Sequence, residues 1–169
     1  MKKRVLIIDT SILCVWLQVP GMESCGKDGD VWNYERVAHK IEEEQKNGTT
    51  FVLPLAAIIE TGNHITHAQG DVYQYAKNFA DMIKDSADNK SPWAAFTAQS
   101  DLWGADGLKA LVQRWLDNEP KAQSLGDASI VDVAEYYARM GQEVEILTGD
   151  SGLKSYEPVR NIPIPRRRR

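Results

Sequence analysis

The chain has 169 residues, of which 43% are hydrophobic, and this length is typical of one compact domain whose core needs no disulfide or metal. Its apolar stretches, such as residues 53–59, are far shorter than the roughly 20 residues that a membrane-spanning helix needs. The charged residues 2–4 precede only a few apolar residues, unlike a secretory signal. Cys14 and Cys25 form neither a CxxC pair nor a disulfide framework. We therefore expect one cytoplasmic domain over residues 1–165, with no membrane partner.

The net charge of −4 is distributed unevenly along the chain. The basic tail, residues 166–169, carries four of the 20 basic residues, which leaves 16 basic against 24 acidic residues, a balance of −8, in residues 1–165. This acidic body argues against a broad phosphate-binding face, because nucleic-acid binding depends largely on positive charge. It is compatible with a metal-dependent enzyme. The tail either binds phosphate or is an unstructured terminal run.

Three short apolar runs predict buried strands, and helical patterns separate them. The runs are residues 4–8, which stop at Asp9; residues 50–53, which stop at Pro54; and residues 144–148, which stop at Gly149 and Asp150. The second and third runs each follow a helical pattern that a glycine closes. Strands that alternate with helices predict an α/β fold, a three-layer sandwich with a central, mainly parallel sheet flanked by helices.

The helical patterns between these strands differ in strength. Helices are predicted over residues 31–47, 55–68, 72–83 and 108–116, and the strongest pattern precedes the last strand, with Ile130, Val133, Ala134, Tyr137 and Ala138 on one face. Ser124 and Asp127 resemble a capping box at its start. Residues 85–104 are mixed in character, and we expect an irregular or partly helical excursion there.

Four acidic residues from distant parts of the chain are expected at one edge of the sheet. Asp9 and Asp150 follow the first and third strands, Glu60 lies on the helix after the second strand, and Asp127 begins the helix before the third. The carboxyl ends of parallel strands share one edge, where open α/β proteins bind ligands. Clustered carboxylates repel one another unless a cation neutralises them, so the pattern predicts Mg²⁺ or Mn²⁺, which prefer oxygen ligands.

Four sequence blocks resemble those of PIN-domain ribonucleases. Residues 5–13, Val-Leu-Ile-Ile-Asp-Thr-Ser-Ile-Leu, are similar to the family's opening strand and Asp-Thr-Ser. Residues 54–63 resemble its second block, with an acid on the helix after the second strand. Residues 126–130 and 146–150 resemble the third block and the fourth, commonly Thr-x-Asp. The blocks occur in the family's order, and they span nearly the whole chain.

The resemblance implies a PIN-like fold and an endonuclease that cuts single-stranded or structured RNA with Mg²⁺ or Mn²⁺. Small bacterial members are often VapC-type toxins, which are dimeric and silenced by an antitoxin protein, so RNA, an antitoxin and a second copy are the expected partners. The chain is longer than these toxins, chiefly through residues 87–108. In the family's arrangement the metal ligands and catalytic residues are Asp9, Glu60, Asp127 and Asp150, with Ser11 and Thr148 as hydrogen-bond donors that orient carboxylates.

Each acid also has a simpler interpretation. Asp9 and Asp127 suit helix N-termini, and Asp150 suits a turn before Gly152. Glu60 is harder to explain this way, because its helix is expected to be largely buried, where an unpaired carboxylate is costly. Asp132 lies about 140° round the helix from Asp127, so we leave it out of the site.

Other chemistries remain open at this stage. Glu60, His64 and His67 share one helix face and offer ligands for Zn²⁺. Trp93 and Trp103 either pack the excursion or stack on bases. A non-cleaving PIN-like module that binds RNA or protein is the main alternative function. A phosphotransferase of the haloacid-dehalogenase kind is disfavoured, because a second aspartate is missing two residues after Asp9.

Overall fold

The computed structural model describes residues 3–159, apart from the side chains at positions 96 and 97, and there the chain forms five strands and eight α-helices. In chain order these are β1 (Arg4–Ile8), α1 (Thr10–Trp16), β2 (Ser24–Lys27), β3 (Asp30–Asn33), α2 (Tyr34–Lys46), β4 (Thr50–Val52), α3 (Leu55–His67), α4 (Tyr73–Ala87), α5 (Ser100–Trp103), α6 (Ala105–Asp117), α7 (Leu125–Arg139), β5 (Glu143–Leu147) and α8 (Ser151–Lys154). A 3-10 turn, Phe96–Gln99, precedes α5. The tail, residues 166–169, lies outside the described residues.

A three-stranded parallel sheet in the order β4-β1-β5 forms the centre. The central strand β1 pairs in parallel on both sides, with Ile7 beside Val52 of β4 and beside Ile146 of β5. All three strands occur where the apolar runs predict them, because strands covered on both faces need apolar side chains in both directions. The predicted α/β class is confirmed, and the arrangement is compatible with a three-layer sandwich.

The side chains of β1 alternate between two hydrophobic cores, one on each face of the sheet. Leu6 and Ile8 pack with α1, α2 and α4, while Val5 and Ile7 pack with α7 and α8. The stripe on α7 faces the second core as its spacing predicts, since Ile130, Val133 and Ala134 are all buried. The two cores fix the helices on both faces of the sheet, and they fix the ends of the strands relative to each other.

The chain leaves β1 and β5 toward opposite faces of the sheet. Helix α1, directly after β1, packs into the first core, whereas Leu153 of α8, after β5, packs into the second. Neighbouring strands whose following segments diverge leave a crevice at their carboxyl ends, where α/β proteins bind ligands. Asp9 and Thr148 stand at the two sides of this crevice, directly after β1 and β5.

An antiparallel hairpin, β2–β3, lies between α1 and α2 and was not predicted. The prediction of a helix over residues 31–47 was wrong at its start, because Val31 and Trp32 belong to β3 and α2 begins at Tyr34. Asn33 sets the boundary, since its side chain accepts a hydrogen bond from the Arg36 amide at 3.0 Å. The Asp28-Gly29 pair, just before the predicted helix, is a hairpin turn signal that the prediction did not use.

The excursion at residues 85–104 is partly helical, as expected, and covers an edge of the sheet. The Phe51 amide donates to the Pro92 carbonyl and the Ala94 amide donates to the Phe51 carbonyl, both at 2.8 Å. Trp93 is buried and stacks on Trp16 with ring centroids 6.4 Å apart. Trp93 therefore packs the core, which is the more conservative of its two interpretations.

None of the helices formed by residues 3–159 combines the length and the apolar character needed to cross a membrane.

Candidate functional site

Asp9 occupies the N-cap position of α1 without capping the helix. Its side chain makes no hydrogen bond to the helix amides. Instead Oδ2 accepts one hydrogen bond from the Ser11 hydroxyl at 3.1 Å and another from the Thr148 hydroxyl at 2.7 Å. Only 6% of Asp9 is exposed, so these two donors replace water around the charge. The predicted contacts of Ser11 and Thr148 with a carboxylate are thus present, and both converge on Asp9.

The two hydroxyls are themselves held by the backbone of the segment after β5. The Gly149 amide donates to Ser11 Oγ and the Asp150 amide donates to Thr148 Oγ1, each at 3.0 Å. Each hydroxyl accepts one bond and donates one, which fixes the direction of its proton toward Asp9. The carboxylate of Asp9 is therefore oriented by a network that joins the carboxyl ends of β1 and β5.

Asp127 lies close enough to the other three predicted acids for their negative charges to affect its pKa. It is half-buried in the first turn of α7. Burial raises the pKa of Asp127, and the negative charges of Asp9, Asp150 and Glu60 raise it further, while hydrogen bonding with Ser124 opposes the change. Four acids from four separate elements therefore share one electrostatic environment at the carboxyl end of the sheet.

Glu60 reaches this environment from α3. Its Oε2 accepts a hydrogen bond from the Thr10 hydroxyl at 3.2 Å. Its Oε1 lies over Gly126 of α7, at 2.6 Å from the position that a Cβ atom would occupy there. The expectation that Glu60 lies on a largely buried stretch was wrong, because Glu60 and Ile59 are both exposed and α3 buries only its opposite face, through Ala57, Thr61 and Ile65.

Asp150 combines a structural task with its place beside the other acids. It is the N-cap of α8, and its Oδ1 accepts hydrogen bonds from the Gly152 amide at 2.7 Å and the Leu153 amide at 3.2 Å. The simpler interpretation placed Asp150 in a turn, whereas in the structure its Oδ1 caps a short helix. No donor from the described residues is recorded for Oδ2, which leaves this oxygen available to a ligand.

The donor set fits a hard divalent cation in its chemistry, since the four acids offer only oxygen atoms. In the conformation described, no three acidic, histidine or cysteine side chains within residues 3–159 stand together as a ready-made metal-binding group. This applies equally to the zinc alternative of Glu60, His64 and His67. His67 Nδ1 instead lies 2.8 Å from the Asn63 carbonyl oxygen of its own helix, an ordinary surface contact.

Asp132 lies away from the site, as its helical position predicts. It is buried and forms an ion pair with Arg114 of α6. Its role is to tie α6 to α7, which is consistent with leaving it out of the group of four acids.

Three further residues that shape the site were missed. Thr10 lies within the Asp-Thr-Ser block, yet its contact with Glu60 depends on how α1 and α3 pack. Gly126 is next to Asp127, and its lack of a side chain admits the Glu60 carboxylate. Gly149 admits the hairpin, because a Cβ atom there would lie 2.6 Å from Cys25 Sγ. The two glycines were visible in the sequence, but only the approach of other elements explains them.

Comparisons of the chain with protein-family models, with curated proteins and with solved structures gave no match.

Proposed function

We propose that the protein is a divalent-metal-dependent endoribonuclease that hydrolyses RNA phosphodiester bonds. The observation that carries this proposal is that Asp9, Glu60 and Asp150 all lie close enough to Asp127, near the carboxyl end of a parallel sheet, for their charges to raise its pKa. Ionised acids that repel one another lower the stability of a fold unless their charge serves a ligand. The resemblance of the same four positions to the PIN-domain blocks supports nuclease chemistry.

Mg²⁺ or Mn²⁺ is the cofactor that this proposal implies, with the four acids as its holders. When bound, such an ion neutralises the acids, lowers the pKa of an attacking water and offsets the charge that builds on the phosphate oxygens during hydrolysis.

The residues of the chain supply position and charge. The hydrogen bonds from Ser11 and Thr148 leave Asp9 with one oriented oxygen, Oδ1, for which no donor among the described residues is recorded. Asp127, whose pKa is raised, takes up a proton more readily than an ordinary aspartate when no cation is present. Glu60 is steadied by Thr10 and by the space above Gly126. Together these contacts hold carboxylates on both sides of the crevice before a ligand arrives.

A second candidate function is a PIN-like module that binds RNA or protein without cutting. It is favoured by the capping role of Asp150, whose Oδ1 already accepts hydrogen bonds from two helix amides. The toxin role, an antitoxin partner and a homodimer remain predictions from the family resemblance. Copurification with the product of the neighbouring gene, and the mass of the protein in solution, test them directly.

Cleavage of mixed-sequence single-stranded RNA in Mn²⁺ or Mg²⁺ tests the proposal. We expect Asp9→Asn and Asp127→Asn to lower the cleavage rate at least about 100-fold, the upper end of the loss found when the supporting partners of metal ligands are removed. Excess chelator should have the same effect as the substitutions. Asp81→Asn is the matched control, because Asp81 is a half-exposed aspartate on α4 that pairs only with surface lysines of the same helix, Lys77 and Lys84.

The control variant should cut at the rate of the wild type. Equal cleavage by Asp9→Asn and Asp127→Asn would refute the nuclease proposal. RNA binding in chelator without any cleavage would favour the non-cleaving module, and hydrolysis of a small phosphomonoester would revive the phosphotransferase alternative.

A further inference from the structure

A groove of about 430 Å³ has one of the four proposed metal ligands, Asp150, in its lining and extends away from the other three. One end of it is formed by Thr148, Gly149 and Asp150, so the groove and the candidate site share a wall. Its opposite walls are hairpin β2–β3 and helix α8. This volume lies within the range of about 300 to 1,000 Å³ that is typical of small-molecule sites, which is sufficient for a nucleotide unit.

Trp32 of the hairpin and Arg36 of helix α2 form a cation–π pair in this groove. The guanidinium carbon of Arg36 lies 3.7 Å from the centre of the Trp32 ring, and both residues line the groove. Arg36 is also paired with Asp30 at 2.8 Å, and its amino group donates to the Val31 carbonyl at 2.8 Å. Three contacts with residues of the hairpin therefore hold the Arg36 guanidinium in place. Nucleic-acid bases stack on such guanidinium planes and on aromatic rings.

Two lysines, Lys27 and Lys154, line the groove together with the acids Asp30, Glu145 and Asp150. Lys27 is exposed at the end of β2, and Lys154 lies on α8 with its side chain 43% exposed. Lys154 Nζ is held by the Ile146 carbonyl at 3.0 Å and by Glu157 at 2.5 Å. In an otherwise acidic protein these cations stand next to the acids that would repel a polyanion. A strand that reaches the acids needs cations on its path, because phosphates bind chiefly through positive charge.

We propose that this groove binds a single-stranded segment of the RNA next to the bond that is cut. A base stacks on the Arg36 plane, which Trp32 supports from below, and Lys27 and Lys154 contact the flanking phosphates. The inference rests on the proposed ribonuclease function, and it adds the class of substrate, an unpaired strand, and the place where that strand is held. A duplex would keep its bases stacked on each other and away from Arg36.

The test is equilibrium binding of a short labelled single-stranded RNA to the full chain in chelator, where no cutting occurs. Arg36→Lys keeps the charge and removes the plane, so we expect about 5- to 150-fold weaker binding, as for loss of one stacked base, with an unchanged salt dependence. The double variant Lys27→Gln with Lys154→Gln should reduce the slope of log K against log salt by about 1.4, or about 0.7 for each lost phosphate contact. Lys84→Gln, an exposed lysine on α4, is the matched control and should leave both quantities unchanged.

Two further ligands separate this proposal from simple anion binding. Duplex RNA and inorganic polyphosphate, which offers phosphate without bases, should bind more weakly than the single strand, and Arg36→Lys should not affect polyphosphate. The groove proposal is overturned if the wild type does not bind the single strand, if the groove variants bind like the control, or if polyphosphate binds equally well. Failure of the nuclease proposal is distinguishable, because it leaves the binding result intact and removes only cleavage in Mn²⁺.

Discussion

Position along the chain does not decide what an individual aspartate does in this protein. Asp9 and Asp150 both stand at helix N-caps, yet only Asp150 bonds to helix amides. The difference is in their neighbours: two hydroxyls converge on Asp9 Oδ2 and hold its carboxylate at the crevice. Asp9 forgoes a helix cap, which is typically worth about 1 kcal/mol, and we propose that its carboxylate is oriented for the metal site instead.

Thr148→Val tests whether the Thr148 hydroxyl orients the Asp9 carboxylate for metal binding. The substitution keeps the shape of a buried side chain and removes the 2.7 Å hydrogen bond to Asp9. We expect Mn²⁺ affinity and RNA cleavage to fall about 10- to 100-fold, which is typical when a partner that orients a metal ligand is removed. Calorimetric titration with Mn²⁺ and the cleavage assay measure the two effects.

Thr66→Val is the matched control for this change. Thr66 is an exposed residue of α3 whose hydroxyl donates only to the Gly62 carbonyl. It should leave both quantities unchanged. Wild-type affinity and cleavage in Thr148→Val would mean that the hydrogen bond to Asp9 has no functional role.

At the scale of elements, charged side chains occupy backbone hydrogen-bonding groups on the outer edge of β5. The outer edge of β5 is blocked at Ile146, whose amide donates to Glu157 and whose carbonyl accepts from Lys154. Unpaired edges invite pairing with other chains, and such side chains prevent it. On the side of the first core, Arg4 of β1 and Glu44 of α2 form a nearly buried ion pair that ties the helix to the sheet.

Glu44→Gln should destabilise this attachment in a pH-dependent way. Burial opposes ionisation of Glu44, but hydrogen bonds from Arg4, Lys40 and Thr49 outweigh it and lower the pKa from 4.5 to about 2. A lowered pKa stabilises the fold above pH 4.5, and the contribution disappears as the pH falls toward 2. At neutral pH we expect Glu44→Gln to cost about 3 kcal/mol of unfolding free energy.

Urea unfolding at neutral and at acidic pH measures this cost. The difference between wild type and Glu44→Gln should shrink as the pH is lowered. Glu42→Gln, which removes an exposed partner of Lys46 on the same helix, should change stability little at any pH. A difference that stays constant with pH would show that the lost charge is not the cause.

For the whole molecule, the neighbouring acids make ionisation of Asp127 costly, and the proposed cation would relieve that cost. The raised pKa of Asp127 means that the folded state binds a proton more tightly there than the unfolded chain does. Stability from this group is therefore lost as the pH rises through the folded pKa. Under the proposed function, metal binding would offset this loss and would displace any proton that Asp127 holds.

Thermal unfolding with Mn²⁺ or with chelator tests this balance. At about 100 times its dissociation constant Mn²⁺ should add about 2.7 kcal/mol to the wild type. This gain should diminish at acidic pH, where protons compete. Asp127→Asn should raise the melting temperature in chelator at neutral pH, because it removes the repelled charge, and should lose most of the gain from Mn²⁺. Equal stabilisation of Asp127→Asn by Mn²⁺ would place the ion elsewhere.

The sequence by itself determined where the three central strands lie along the chain and which acids follow them. Strands buried on both faces need apolar side chains in both directions, so each appears in the sequence as a short run of consecutive apolar residues. Acids follow two of these strands, directly after Ile8 and shortly after Leu147. The stripe on α7 likewise depends only on local spacing. These features are readable because neighbours in the chain are sufficient to produce them.

Only the tertiary structure decided which partners those residues meet. The donors to Asp9 come from positions 11 and 148, the space for Glu60 depends on Gly126 of another helix, and the exposure of Glu60 reverses the expectation from its apolar surroundings. Hairpin β2–β3 and the contact between Trp32 and Arg36 were not predicted. Contacts between remote segments follow from how the two cores pack, and local periodicity carries no information about that packing.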